Sequence, residues 1–349
     1  MNNLAIALLS YLILPCFLLL GRLGKGHILV DPYSSTTIKG LLAIYLVVHH
    51  FVQKMWNQSY LGPMAWFGFV IVGWFFLTSG YGSFVSFEKN GFTDFWKKKI
   101  KRIWIPFVIA VPLEGFLRLY VLHQQGSVTE VLLKAVTLRT LDGKFMWYIA
   151  TQIVMYVCFY APYRLIINRR FRFAVMLSLI ILFETGNILL HQPDYKWVTC
   201  SCFAVGVLLG ESKDFIRCHF EKFNRAFSVS AAAMAFLLIS LILIWRHRRW
   251  DVFILIPLAE GAMVILTSRL KFHSKILHWL GTISFEIYIT QLTMVEIAIW
   301  LWNTSLKALL LAILGSVLFA TLVFKVSRAL VATVEKLSGC LLRKSRSSS

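Results

Sequence analysis

KGLLAIYLVVHHF, running from Lys39 to Phe51, is apolar enough to enter a lipid bilayer, yet it opens on a lysine and carries two histidines near its end. Read as a helix, this stretch decides the class of the protein. Ionisable groups at membrane depth are costly to keep, so by default they mark a functional site. Lys39 and His50 stand eleven positions apart, and at about 100° per residue eleven steps come within roughly 20° of whole turns, which puts both on one face. His49 lies well off that line. A plainer reading also stands, in which Lys39 snorkels to one membrane interface and His50 to the other.

The rest of the chain has the same character. Of 349 residues, 58% are hydrophobic and 15% charged, with a mean hydropathy of +0.71. The apolar residues come in long blocks, which excludes a soluble domain of this size. Blocks long enough to span, at about 20 residues per crossing, run over 4–21, 38–53, 64–87, 103–122, 145–166, 172–190, 197–210, 226–245, 251–269, 276–301 and 306–334. They predict an all-α fold, a polytopic transmembrane helical bundle of about eleven helices. The block 197–210 is short and contains glycine, which suits a tilted, broken or re-entrant segment. The block 4–21 lacks the basic start of a signal peptide and reads as a retained helix.

A net charge of +20 would suggest nucleic acid in a soluble chain. Here lysine and arginine gather in the short segments between apolar blocks, so the expected partners are anionic membrane lipids and not nucleic acid. Arg22 and Lys25, the run Lys97 to Arg102, Arg164 to Arg172, Arg269 to Lys275, and Arg343 to Arg346 fall on one side if the helices alternate. By the positive-inside rule that side is cytoplasmic, which predicts a plasma-membrane protein with its N-terminus outside and its C-terminus in the cytoplasm. Arg246, His247, Arg248 and Arg249 in WRHRRW dissent. They are either a local exception or an outer site at which Arg248 and Arg249 contact an anionic acceptor through their forked donors.

Cysteines at 16, 158, 200, 202, 218 and 340 form no CxxC pair and no His-Cys spacing suited to zinc, so they read as small apolar fillers and no metal site is expected. Glu114 and Arg118 are four apart, a spacing that favours a mutual pair on one helix. Glu184, Glu260, Glu286 and Glu296 lie in apolar blocks without an evident local partner. Such carboxylates keep open a transporter of a glycan or small solute, and a membrane sensor is a third, weaker reading. Trp147 and Tyr148 are either interface anchors or a stacking surface for sugar. Pro106, Pro112 and Pro257 are expected to start or kink helices around a cavity.

With the basic side in the cytoplasm, Lys39 enters its helix from inside and His50 lies about 16 Å further along, toward the outer leaflet. An imidazole, with an ordinary pKa of about 6.5, can take a proton from a hydroxyl near neutral pH.

Lys39, ten residues, then His50 resembles the Arg-x10-His motif of the acyltransferase 3 family of integral membrane acyltransferases. GWFFLTSGYGSF (Gly73–Phe84) is similar to that family's FFxxSGY/F stretch. FWKKKIKRIWIPF (Phe95–Phe107) resembles its basic run into a proline-opened helix, here Pro106. MWYIATQIVMYVCFYAP (Met146–Pro162) resembles its Trp-Phe-Leu helix, and LGTISFEIYITQL (Leu280–Leu292) its LGxISYxxYLxH segment. The chain departs from the pattern at Lys39, at Gly73 where the family often has Asp, at Gln291 where it commonly has His, and at Ser83, Ser86 and Glu88 where arginines are usual.

The resemblance implies an O-acetyltransferase-like enzyme that binds no cofactor and uses acetyl-CoA, or another acyl-CoA, as donor substrate. Its acceptor would be a hydroxyl of an exported polysaccharide or a lipid-linked precursor, with polysaccharide biosynthesis machinery as a possible partner. His50 would be the catalytic group, as general base or covalent carrier. Lys39, Lys98 and Arg102 would bind the donor; Trp147, Arg248 and Arg249 would contact the carbohydrate. The implied layout is residues 1–37 as an extra helix and loop, 38–334 as the acyltransferase-like domain, and 335–349 as a basic tail.

Overall fold

The computed structural model describes residues 21–23, 30–54, 62–137, 146–220, 228–235 and 249–347, which are helical apart from short connections and one pair of strands. Strand β1 (Gly21–Leu23) pairs antiparallel with β2 (Leu270–Phe272), Arg22 opposite Lys271. This two-stranded clip is the one departure from the all-α expectation among the described residues.

Helix α1 (Pro32–Gln53) is the hub. Its start is well specified: the Asp31 carboxylate accepts the Ser34 N–H at 2.9 Å and proline occupies the first turn, which satisfies an orphan donor and presets φ. Asp31 also meets Lys271 at 3.4 Å, tying the helix to β2. Burial pushes the Asp31 carboxyl up, but the Ser34 hydrogen bonds and Lys271 outweigh it and hold the group below its ordinary range. Asp31→Ala should therefore cost about 1 kcal/mol, measured by denaturation in detergent. Because the pKa is lowered on folding, this stabilisation is complete above the ordinary carboxylate value and is lost as pH falls through the lowered one.

The remaining helices are α2 (Gly62–Asn90), α3 (the continuous span Phe95–Tyr120), α4 (Val128–Thr137), α5 (Trp147–Leu165), α6 (Arg169–Leu189), α7 (Ser201–Glu211), α8 (Lys213–Phe220), α9 (Arg249–Arg269), α10 (Lys275–Thr282), α11 (Ser284–Trp302) and α12 (Leu306–Ser347). Helix α1 packs against α2, α10, α11 and α12. In its apolar window 78% is buried inside the protein, against 17% for α6, so α1 is core while α6 turns most of its apolar surface outward. Helix α12 does likewise along Leu310, Leu314, Leu318, Leu322 and Val326, all exposed at four-residue spacing.

Where helices must touch closely, glycine replaces side chains. A Cβ at Gly80 of α2 would fall on the Phe203 carbonyl oxygen of α7, and one at Gly206 would fall on the Leu77 carbonyl oxygen. This is the small-residue packing that apolar helices use when no water drives them together.

Among the described residues, five helices are long and apolar enough to cross a membrane, or six if α10 and α11, bent by 80°, form one broken span. The sequence led us to expect eleven. Blocks 145–166, 197–210 and 251–269 do form helices α5, α7 and α9, but α7 has only 11 residues, α5 is interrupted by polar side chains such as Thr151 and Gln152, and the side chains of residues 249–253 at the start of α9 lie outside the described ones. Block 4–21 lies outside the described residues except Gly21, and of 226–245 only 228–235 is described. Pro106 stands in the first turn of the α-helical segment Ile105–Tyr120, as expected. What the sequence did not announce is the π-helical turn, Ile100–Trp104, that precedes it within the continuous span α3.

The basic segments meet at one end of the bundle. There Lys101 pairs with Glu335, Lys213 with Glu88, and Arg169 reaches Glu211 at 3.5 Å, while β1 and β2 join the loops that precede α1 and α10. We call this the basic end.

Candidate functional site

Two glycines bring α10 against α1. A Cβ at Gly40 would lie 2.7 Å from the Gly281 nitrogen and closer still to the Leu277 carbonyl oxygen, and one at Gly281 would collide with the Thr36 carbonyl. With the chain pinned there, the 80° bend into α11 turns the segment Gly281–Glu286 over the residue next to Gly40, which is Lys39. Beneath that turn lies a cavity of about 700 Å³, opening at the basic end.

Its mouth carries Lys98, Lys101 and Arg102 from α3 and Arg328 and Glu335 from α12; Lys39 and Glu286 lie within, and the wall includes Ser79, Tyr148, Gln152, Tyr156 and Tyr288. The π-helical turn of α3 contributes Lys101 and Arg102 to this mouth, a placement in keeping with such turns elsewhere at functional sites. Five basic side chains thus face two carboxylates. Lys101 is held by Glu335. Arg102 lies 4.0 Å from Glu286 and donates to the Thr282 carbonyl at 3.0 Å, so it clamps the bend. Lys39, Lys98 and Arg328 form no ion pair within 4.0 Å among the described residues, although Arg328 acts on Glu286 at longer range, and together they leave an excess of positive charge suited to a multiply anionic ligand.

The wall is ordered by its own contacts. Ser79 Oγ and Tyr156 OH are 2.9 Å apart, and Lys99 Nζ sits 3.8 Å from the Tyr156 ring centroid. Tyr148 donates its hydroxyl hydrogen to Gln152 Oε1 at 3.0 Å, and its ring packs 5.1 Å from that of Tyr288.

Of the residues singled out in the sequence, Lys39, Lys98 and Arg102 come together around this one cavity. His50 is not among its lining residues. It is half-buried near the far end of α1, with Nδ1 at 3.0 Å from Gln53 Oε1. His49 is fully packed: a Cβ on Gly68 of α2 would lie 2.5 Å from its Nε2. Trp147 also lies outside the cavity lining, its ring 5.6 Å from Tyr195. Arg248 and the side chain of Arg249 fall outside the described residues.

The buried acids rearrange the expected pairings. Arg118 pairs with Glu296 across helices at 2.6 Å instead of with Glu114 on its own helix, and Lys54 lies 3.9 Å from the same carboxylate. Glu184 accepts the Ser201 N–H at 2.9 Å and so caps α7. Glu286 faces Arg102, and Glu260 lies against the Cα of Gly73. Sequence reasoning missed Arg328 and Gln152 as parts of the site. A glutamine inside the apolar run of α5 was the available signal; Arg328, distant in sequence on α12, offered none.

A family model described as an acyltransferase domain, that of the acyltransferase 3 family, matches residues 33–327. No curated protein and no solved structure matches the chain.

Proposed function

The chain belongs to the acyltransferase 3 family of membrane acyltransferases, and from that premise we propose that it moves an acetyl group from cytoplasmic acetyl-CoA to a hydroxyl of a cell-envelope polysaccharide or its lipid-linked precursor. It does so in the plasma membrane, with the basic end and C-terminus in the cytoplasm and the N-terminus outside. The observation that carries the donor half is the cavity with Lys39 inside and Lys98, Arg102 and Arg328 at its mouth. Coenzyme A bears a diphosphate and a further phosphate, and guanidinium and ammonium groups are their natural partners.

In this reading the phosphates rest at the mouth, and the thioester arm passes Lys39 toward His50. In the tautomer that donates Nδ1–H to Gln53 Oε1, Nε2 is the basic ring nitrogen of His50. Nε2 takes the proton from the acceptor hydroxyl, the oxygen attacks the thioester carbonyl carbon, the C–S bond breaks, and the CoA thiolate leaves and is protonated. The same lone pair would be the nucleophile of a covalent route, and trapping of an acyl-imidazole separates the two. Lys39 opposes the negative charge that develops, and such a cation is worth more in a dry site than in water.

The rival transporter reading relied on unpaired membrane glutamates. Glu184, Glu286 and Glu296 have partners, and the acyltransferase family match favours the enzyme.

Membranes carrying the protein should release CoA thiol from acetyl-CoA when polysaccharide acceptor is supplied; solute movement with no thiol release would sink the proposal. Lys39→Ala should raise the KM for acetyl-CoA by about 10–100-fold, the worth of one charge-assisted contact. An unchanged KM removes Lys39 from the donor site.

A further inference from the structure

Gln152 stands out among the groups that line the cavity. It is 3% exposed, and its Nε2 is buried with no hydrogen-bond partner among the described residues. A buried amide N–H without a partner costs roughly 1–3 kcal/mol, so native proteins seldom leave one idle. Its orientation is also set. Tyr148, one helical turn earlier on α5, donates its hydroxyl hydrogen to Gln152 Oε1 at 3.0 Å. With Oε1 taken as acceptor, the two N–H bonds are what the amide has left to offer a ligand.

The surroundings define what such a donor can bind. Tyr148, Tyr156, Tyr288 and Phe75 give this part of the cavity an aromatic wall, and the basic groups lie at its mouth. Phosphates belong at the mouth, so the portion of a donor that reaches Gln152 is uncharged, and its strongest acceptors are the carbonyl oxygens of its amides and thioester, ahead of the pantoyl hydroxyl. Resting on the proposal that the cavity holds acyl-CoA, we infer that Gln152 Nε2–H donates to a carbonyl oxygen of the donor's arm. That carbonyl belongs either to the thioester or to a pantetheine amide. Tyr148 is then a positioning residue, which holds the amide the right way round.

The test is equilibrium binding to the full-length protein in detergent, without acceptor, of acetyl-CoA, S-ethyl-CoA (the same skeleton without the thioester carbonyl) and adenosine 3′,5′-bisphosphate, which has no arm. Gln152→Met keeps the length of the side chain while removing the N–H donors and adding no charge. It should weaken acetyl-CoA by about tenfold, the worth of one hydrogen bond, and leave the bisphosphate unchanged. If S-ethyl-CoA binding is spared, the thioester carbonyl is the partner; if it falls equally, a pantetheine amide is. Tyr148→Phe should give a smaller loss of the same pattern, because the amide can then turn over. Unchanged acetyl-CoA binding in Gln152→Met overturns the inference, and so does an equal loss for the armless bisphosphate, which would mean general damage to the cavity. If the unmodified protein binds none of the three, the donor reading itself falls and takes this inference with it.

Discussion

His50→Ala is expected to lower acetyl transfer by about 10²–10⁴-fold, the usual contribution of a positioned acid–base group, while acetyl-CoA still binds. The split between lost turnover and retained binding follows from the layout. The donor groups cluster at the basic end, and His50 lies about 16 Å from Lys39 along α1 at 1.5 Å per residue. His49→Ala is the informative partner. Its ring is packed on Gly68, so its loss should act through stability, about 2–5 kcal/mol for a large buried side chain cut back to Ala, and read out as reduced thermal resistance. Thiol release and melting in detergent, measured on both variants, check the assignment. A His50→Ala protein with full transfer activity would falsify it, and a His49→Ala protein that melts normally but does not turn over would move the chemistry to the neighbouring ring.

The stretch from Lys39 to Phe51 yielded more than its helix. Its two costly groups lie in the hub of the bundle, because a helix apolar on nearly every face is one that other helices can surround. The basic runs were equally legible as a set: segments far apart in sequence, such as Arg22 and Lys271 or Lys101 and Glu335, meet at one end. What could not be read was pairing between helices. Glu114 and Arg118 share the best local spacing, but Glu296, more than a hundred and seventy residues away in the chain, takes the guanidinium. A local rule compares only neighbours on one helix, and a carboxylate arriving from another helix at 2.6 Å outcompetes it. Gln152 was hidden for a related reason. A single amide in an apolar helix has no signature of its own, and it becomes informative only once Tyr148 fixes its oxygen and the cavity lies beside it. Hydropathy alone marks apolar blocks without telling a crossing helix from a short one such as α7, which has 11 residues.

The close crossing of α1 and α10 sets up the second large effect. Gly281→Val should abolish transfer and lower the yield of folded protein, although residue 281 has no chemistry to offer. The new Cβ would meet the Thr36 carbonyl oxygen, and its carbonyl carbon at 2.7 Å. These are backbone atoms of a buried helix, so no rotamer change relieves the clash and α10 must move off α1. Overpacking of this kind costs about 1–3 kcal/mol, and a backbone obstacle puts the cost toward the upper end. The consequence reaches the site because the bend after Gly281 is where Arg102 grips the Thr282 carbonyl at 3.0 Å and where Glu286 faces the same guanidinium. Displacing it opens the roof over Lys39. Gly82 supplies the control, since a Cβ there meets nothing within 4 Å, and Gly82→Ala in mid-helix should be neutral or stabilising by about 0.5–1 kcal/mol. Size-exclusion profiles, melting in detergent and thiol release, measured on the two variants side by side, decide the matter. Wild-type stability and turnover in Gly281→Val would mean that α1 and α10 do not cross as closely as their glycines require.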